Sequence, residues 1–542
     1  MIHIENRSSL FLIILLLLAN ACGSPPITEE TDQTIEPLKT QDHTPTSKID
    51  LSTESKTDLK EVTLIQSKSS LSQQADKEIS PEQNVQKASA KIITQDPQSD
   101  PWFDTFWSVA KQVKNKKARR AITKVLEDPQ FYRFQLLITE YEKRSDKSEV
   151  LTPHIFRVDE EYFYPASAIK TYGSIAALRH YTLLKNQKSW LTTNDPMSSR
   201  ARNCKSQDKS NEATGLASLE HEIKKTQLIS SNKAFNTVFN VTGFRRLHEY
   251  ILADFPSVRV YHRLSSRETH QECLKTPALH ICNWTKTGVD HKRSYLRKVQ
   301  TSPADLSDLV AQARATAPTG FKENRASLLV GKGYKDMKTK KRVAQPMDFT
   351  FKNRASFYDF QRLNMGMYVL NQDTPLGPAV KLLGTSKDSK NPPLINPTWL
   401  KELRHAMAIY PRHSKNPQYS GRSLAETRFK PLIRGIRWAS KKLIDQDLYY
   451  LNKAGKALGF HMDNAFIAFG KNAGEIKKSG FPMNSPKRGL FVTVGIYVNK
   501  DGILNDDKYE YSKISVPVLN AIGYAVGRYL VGEWPKTLQA DP

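Results

Sequence analysis

Tyr164-Pro165-Ala166-Ser167-Ala168-Ile169-Lys170-Thr171-Tyr172-Gly173-Ser174-Ile175-Ala176-Ala177-Leu178 marks the point where a strand-rich opening gives way to a long helical middle. After Pro165 the composition is helical, small residues alternating with Ile, Tyr and Leu. Just before it, residues 132–141 put Phe134, Leu136 and Ile138 on one face of a strand, and a second strand-like run, 154–158, follows a polar turn. Further upstream Phe103, Phe106, Trp107, Ala110, Val113, Ala118, Ile122 and Val125 have the spacing of one face of a single helix that stops near Pro129. Downstream, residues 448–451, 465–469 and 490–498 read as three more strands, and residues 516–531 as a closing helix with Pro517 in its first turn, where the missing N–H matters least. Strands from both ends therefore flank a middle, residues 170–442, of helices and polar loops. The expected architecture is one mixed α+β domain over residues 101–542 with no internal repeat: a five-stranded antiparallel sheet flanked by helices, from 101–166 and 443–542, and a large mainly helical part, 167–442.

The first hundred residues are of another kind. Between Phe11 and Trp102 there is no Phe, Tyr or Trp, and residues 23–100 are largely Ser, Thr, Gln, Lys, Glu, Asp and Pro. Such a segment buries too little apolar surface to offset its chain entropy, so a disordered tether is expected. Ahead of it, residues 10–18 form an apolar run too short to span a bilayer, followed by Ala19, Asn20, Ala21 and Cys22. This resembles the bacterial lipobox, with Ala19 where Leu is usual and Glu5 beside Arg7 in the leader. The resemblance implies that 1–22 is a lipoprotein signal peptide, cleaved before Cys22, which then carries the lipid. Gly23 resembles the pattern sorted to the outer membrane. The alternative is an ordinary signal peptide with an incidental cysteine.

Charge is unevenly spread. Residues 23–100 hold 14 acidic and 8 basic side chains, and Glu5 and Arg7 cancel in the leader; of the chain's net +26, residues 101–542 therefore carry +32. A surface so basic favours anionic partners. Behind a lipid anchor these would be anionic lipid or an anionic cell-envelope polymer rather than nucleic acid. Cys204, Cys273 and Cys282 show no Cys-x-x-Cys spacing, which argues against structural zinc. In an oxidising compartment a Cys273–Cys282 bridge, with Cys204 left over, is the expected pairing.

Three short motifs stand out by their order. In Ser167-Ala168-Ile169-Lys170 the helical spacing puts an amine within reach of a hydroxyl, and the helix start favours negative charge near the serine N–H. The same spacing recurs at Ser108/Lys111, Ser206/Lys209 and Ser230/Lys233. Next, Ser230-Ser231-Asn232 presents a hydroxyl and a carboxamide at a helix start, where Ser and Asn also serve as plain caps; Ser389/Asn391 and Ser414/Asn416 repeat it in Pro- and Lys-rich loops. Third comes Lys453-Ala454-Gly455, leaving the strand at 448–451, where a lysine at a strand edge can bind a substrate carboxylate and the small residues after it let substrate backbone approach closely. Its rivals are Lys286-Thr287-Gly288, followed by residues 293–300 and a helical stretch with no strand pair to carry it, and Lys478-Ser479-Gly480, in a connection between strands.

Together, Ser-x-x-Lys, Ser-x-Asn and Lys-x-Gly in this order resemble the signature boxes of penicillin-binding proteins and class A β-lactamases, over residues 101–542. Residues 453–460 and the tail from Ile496-Tyr497-Val498-Asn499 to Tyr509-Glu510-Tyr511 look like bacterial serine hydrolases related to the class A group. The resemblance implies a β-lactam or peptidoglycan stem-peptide substrate, no cofactor and no metal. It makes Ser167 the nucleophile, Lys170 its proton acceptor and Ser230 a proton relay; Asn232 and Lys453, with Gly455, bind substrate, and the backbone N–H groups of Ser167 and Lys456 form the oxyanion hole. Ser231 stands where class A enzymes have Asp, and Ala454 where Thr or Ser is usual. Glu268, Glu272 and Glu426 fall between the boxes, but none has the surroundings of the class A deacylating glutamate. A lactamase, a D,D-peptidase and an esterase all stay open, as does a catalytically inactive cell-wall-binding lipoprotein of the same fold.

Overall fold

Strands from the two ends of the chain meet in one sheet. The computed structural model describes residues 100–534 except 147, 200–203, 265–269, 286, 303–306, 309–310, 312–327, 369–371, 385–392, 421–423, 444–446 and 472–485. The expected signal peptide, Cys22 and, apart from Asp100, the tether lie outside the described residues. So do Lys286, Glu268, Ser389/Asn391 and Lys478-Ser479-Gly480. In chain order the main elements are α1 (Pro101–Lys111), α2 (Lys116–Glu127), β1 (Gln135–Lys143), β2 (Glu149–Phe156), α3 (Lys170–Gln187), α4 (Leu219–Leu228), α5 (Asn232–Ile251), β3 (Leu279–Thr285), β4 (Gly288–Leu296), α6 (Phe357–Tyr368), α7 (Pro397–Ala408), α8 (Ile433–Ala439), β5 (Leu448–Ala457), β6 (Phe460–Phe469), β7 (Arg488–Tyr497) and α9 (Val516–Leu530).

The sheet has the order β5-β6-β7-β1-β2, every neighbour antiparallel. Strand β1 joins the two halves of the chain, its Gln135 opposite Gly495 and its Glu142 opposite Arg488. The period-2 pattern divides the core into two layers. Leu136, Ile138, Tyr450, Ile467 and Val492 face a layer built from α1, α2, α8 and α9. Leu137, Tyr141, Leu451, Met462, Phe466 and Phe491 face the middle helices. Polar pins hold α6 to that second face: Gln361 Nε2 donates to Leu137 O (3.0 Å) and Phe491 O (3.1 Å), and Asn464 Nδ2 donates to Phe360 O (2.8 Å).

Three expectations change. The single first helix is two, because Asn115 Oδ1 accepts from the Ala118 amide at 3.0 Å and starts α2 afresh; both halves keep one apolar stripe because both rest on the same layer. The disulfide is Cys204–Cys282, not Cys273–Cys282. Met197 pairs with Ile281 on β3 and the Cys282 amide donates to Pro196 O, which brings the segment holding Cys204 to a Cα–Cα distance of 6.0 Å from Cys282. Cys273, buried and outside the bridge, accepts the Arg263 amide on its Sγ. Finally, the middle is not helix and loop alone. Residues 279–296 form the β3–β4 hairpin, so Thr287-Gly288 does lie on a strand pair, though in a separate three-stranded sheet.

Candidate active site

Ser167 lies in a 3₁₀ turn, Ala166–Ile169, that runs straight into α3. Ala166 holds φ +46°, the left-handed region that costs an L-residue about 1–2 kcal/mol. The turn is pressed against the edge strand β5. A Cβ added to Gly455 would lie 2.0 Å from Pro165 O and 2.9 Å from the Ala168 amide, so a glycine is needed there for the serine turn and the strand to touch.

Lys170 begins α3 fully buried. Its ammonium donates to the Ser230 carbonyl, to Ser230 Oγ at 3.2 Å and to Asn232 Oδ1 at 2.7 Å. From β5, on the face shared with Tyr449 and Leu451, Lys453 donates to the same Ser230 Oγ at 2.8 Å and to Ala454 O at 3.2 Å. Ser230, at φ +60°, ends the approach to α5, and Ser231 caps that helix by accepting the Ala234 amide at 3.2 Å. Lys170, Ser230, Asn232 and Lys453 thus form one hydrogen-bonded cluster. Ser167 sits beside it, half-buried, and among the described residues makes no hydrogen bond from its Oγ.

The electrostatics of the cluster follow from burial. Desolvation, and next the charge of Lys453, push Lys170 well below the ordinary lysine range. Desolvation also pulls Lys453 down to about 7, with the Asp463 carboxylate opposing it. Two buried ammonium groups sharing one hydroxyl favour one of them being neutral.

The backbone of β5 completes the arrangement. Leu458 and Gly459, at φ +54° and +82°, make a two-residue turn, which closes on the hydrogen-bonded pair Ala457–Phe460. By alternation Lys456–His461 is a non-hydrogen-bonded pair, and the Lys456 N–H points to the free edge, on the side of the Ser167 turn. Its side chain goes to the opposite face, its Nζ 5.2 Å from the centre of the Tyr511 ring.

A group that the motifs did not announce lies behind β5. Asp463, fully buried, accepts from Tyr450 Oη and from Asn452 Nδ2 at 2.7 Å; burial lifts its carboxyl to about 6. Lys430 donates to Tyr450 O (2.6 Å), Asn452 Oδ1 (3.0 Å) and Met407 O (3.1 Å). A lone carboxylate in the apolar run 460–469 was the available signal. Of the glutamates between the boxes, Glu272 is exposed in a short helix, and Glu426 is ion-paired with Arg412 and Arg437. Among the described residues no carboxylate hydrogen-bonds Ser167, Lys170 or Ser230.

No family profile and no curated protein matches the sequence. Solved structures of similar fold include a β-lactamase from Sphaerobacter thermophilus, 10% identical, covering 77% of this chain and 98% of that one, with a TM-score of 0.36. Another is a β-lactamase from Burkholderia vietnamiensis, 11% identical, covering 76% of this chain and 96% of that one, with a TM-score of 0.32. Penicillin-binding protein 1A from Haemophilus influenzae is 10% identical and covers 76% of this chain and 48% of that one, with a TM-score of 0.28. Identities this low carry no residue role from one chain to another.

Proposed function

We propose that the protein is a serine hydrolase or acyl-transferase of the β-lactamase and penicillin-binding-protein type, acting through a Ser167 acyl-enzyme on a β-lactam or a peptidoglycan-like amide. The observation that carries this reading is the meeting of Lys170, Ser230, Asn232 and Lys453 beside the Ser167 turn. A neutral Lys170 takes the Ser167 proton as Oγ attacks the carbonyl carbon. The oxyanion is held by the N–H groups of Ser167 and Lys456. Ser230, in contact with both amines, passes a proton to the leaving nitrogen. Asn232 holds a substrate amide, and protonated Lys453 pairs with a carboxylate. With no carboxylate among the described residues bonded to Ser167 or Lys170 to activate water, the acyl-enzyme decays slowly, which leaves a D,D-peptidase or an esterase nearly as well supported as a lactamase. Labelled penicillin tests this: Ser167→Ala and Lys170→Ala lose the label, and undiminished labelling rejects the assignment. Because Ser230 Oγ carries both lysine contacts, Ser230→Ala is the companion variant, and loss of label there alone would move the nucleophile to Ser230. Turnover of a chromogenic cephalosporin separates hydrolysis from trapping.

A second reading is a cell-wall-binding lipoprotein with an idle site. It is favoured by Lys170 donating to Ser230 and Asn232 rather than to Ser167, and it requires co-sedimentation with peptidoglycan that survives Ser167→Ala. In either case the proposal includes a lipid anchor at Cys22 that holds the chain in the cell envelope, facing the periplasm from the outer membrane. The Cys204–Cys282 bridge supports an oxidising compartment. Incorporation of a palmitate analogue, abolished by Cys22→Ser, tests the anchor.

A further inference from the structure

Residues 424–438 carry a second constellation. They border a cleft of about 460 Å³ lined by Arg412, Glu426, Arg434, Arg437 and Trp438. Glu426 is buried and holds two guanidinium groups at once, Arg412 and, at 2.6 Å, Arg437 Nη1. A buried carboxylate gripping two arginines fixes their positions, and Arg437 is steadied further by the Tyr410 ring, whose centre is 5.9 Å from its guanidinium carbon. Arg434 makes no ion pair among the described residues. One turn later on α8 stands Trp438, 39% exposed, so a guanidinium and a bare indole share one helix face. Three guanidinium groups against one carboxylate leave the cleft with a net double positive charge, on a folded region that already carries +32.

We infer that this cleft binds an anionic glycan, its carboxylates or phosphates against Arg434, Arg437 and Arg412 and the apolar face of a sugar ring on Trp438. Fixed, planar guanidinium groups suit either oxyanion. A single aromatic platform in a cleft of this volume suits one or two sugar rings; a nucleic-acid strand calls for a longer track of stacking rings and cations.

The test is titration of the full-length protein, followed by fluorescence anisotropy, with four labelled probes. These are an oligogalacturonate (carboxylates), a phosphorylated mannan oligosaccharide (phosphates), neutral dextran, and a single-stranded DNA oligomer. Binding of at least one anionic glycan, tighter than dextran and DNA by about tenfold or more, is expected. Which of the two anionic probes binds identifies the oxyanion. Arg434→Ala and Trp438→Ala each lower that affinity about tenfold, while Arg434→Lys keeps part of it. Arg120→Ala, an exposed arginine on α2, leaves affinity within about twofold. Penicillin labelling stays unchanged in all of these variants; it reports folding and keeps this site separate from the Ser167 assignment. Equal binding of DNA and glycan, equal binding of dextran, or undiminished affinity in folded Arg434→Ala protein overturns the inference.

Discussion

At the scale of single residues, the two amines of the cluster decide most of the proposed chemistry. Lys453 is a cation when protonated, and its folded pKa of about 7 lies below the ordinary 10.5. As pH rises through about 7 the folded protein sheds this proton while the unfolded chain keeps it until about pH 10.5. Two outcomes follow. The ammonium available to a substrate carboxylate falls above pH 7, so acylation by a carboxylate-bearing β-lactam slows above pH 7 relative to a neutral ester; Lys453→Ala abolishes the difference, and parallel pH profiles of the two substrates would contradict it. In addition, between pH 7 and 10.5 the unfolded state binds more protons, so this group's unfavourable contribution to stability diminishes with rising pH. Gly455 makes the sharpest steric prediction. Gly455→Ala drives a methyl group into Pro165 O, which costs about 1–3 kcal/mol of stability and displaces Ser167, lowering the acylation rate; chemical denaturation and labelled-penicillin kinetics check both. At this scale the spacings Ser167 to Lys170 and Ser230 to Asn232 are local and visible in the sequence, but each recurs elsewhere, and only the order of the three motifs set these apart. That Lys453 reaches Ser230 across 223 residues is a tertiary fact that its order in the chain only hinted at. The fixed hydrogen-bonding of Asp463 and Lys430 gave no period or motif at all.

Among the elements, the Ser167 turn is where local strain and the proposed nucleophile coincide. Relaxing Ala166 with Ala166→Gly removes about 1–2 kcal/mol of left-handed strain but adds unfolded-state freedom worth about 0.4–1 kcal/mol. The expected result is a melting temperature equal to or above that of the parent with slower acylation, because Ser167 is held less firmly. A lower melting temperature with unchanged acylation would show that the turn's conformation plays no part. Sheet strands were legible because their faces alternate cleanly, as in Leu136 and Ile138 against Leu137 and Tyr141. The break between α1 and α2 was not, since one capping side chain, Asn115, interrupts a stripe that continues on both sides of it. The β3–β4 hairpin was illegible for a different reason: its strands are short of alternation, with β4 reading Gly288-Val289-Asp290-His291-Lys292-Arg293, and its register against β3 shifts between Cys282 and Trp284.

For the molecule as a whole, the bridge ties the segment around Cys204 to β3 across 78 residues of sequence. Cys204→Ser, or reduction, is expected to cost about 2–4 kcal/mol, seen as a lower melting temperature that a reductant no longer shifts in the variant. An unchanged melting temperature on reduction would remove the bridge from the stability of the fold. The pairing itself was illegible because sequence proximity favoured Cys273, whereas contact is set by the pairing of Met197 with Ile281.

The way β7 lies between β6 and β1 has a consequence for biogenesis. Ser167 and every side chain of the cluster, from Lys170 to Lys453, are synthesised before β7, yet without β7 the β5–β6 hairpin has no strand pairing to β1. A chain that has not yet added β7 therefore holds all the proposed reactive groups without the sheet that positions them. On the proposed assignment, Ser167 meets its partners in their working arrangement only once the last strand of the main sheet is in place.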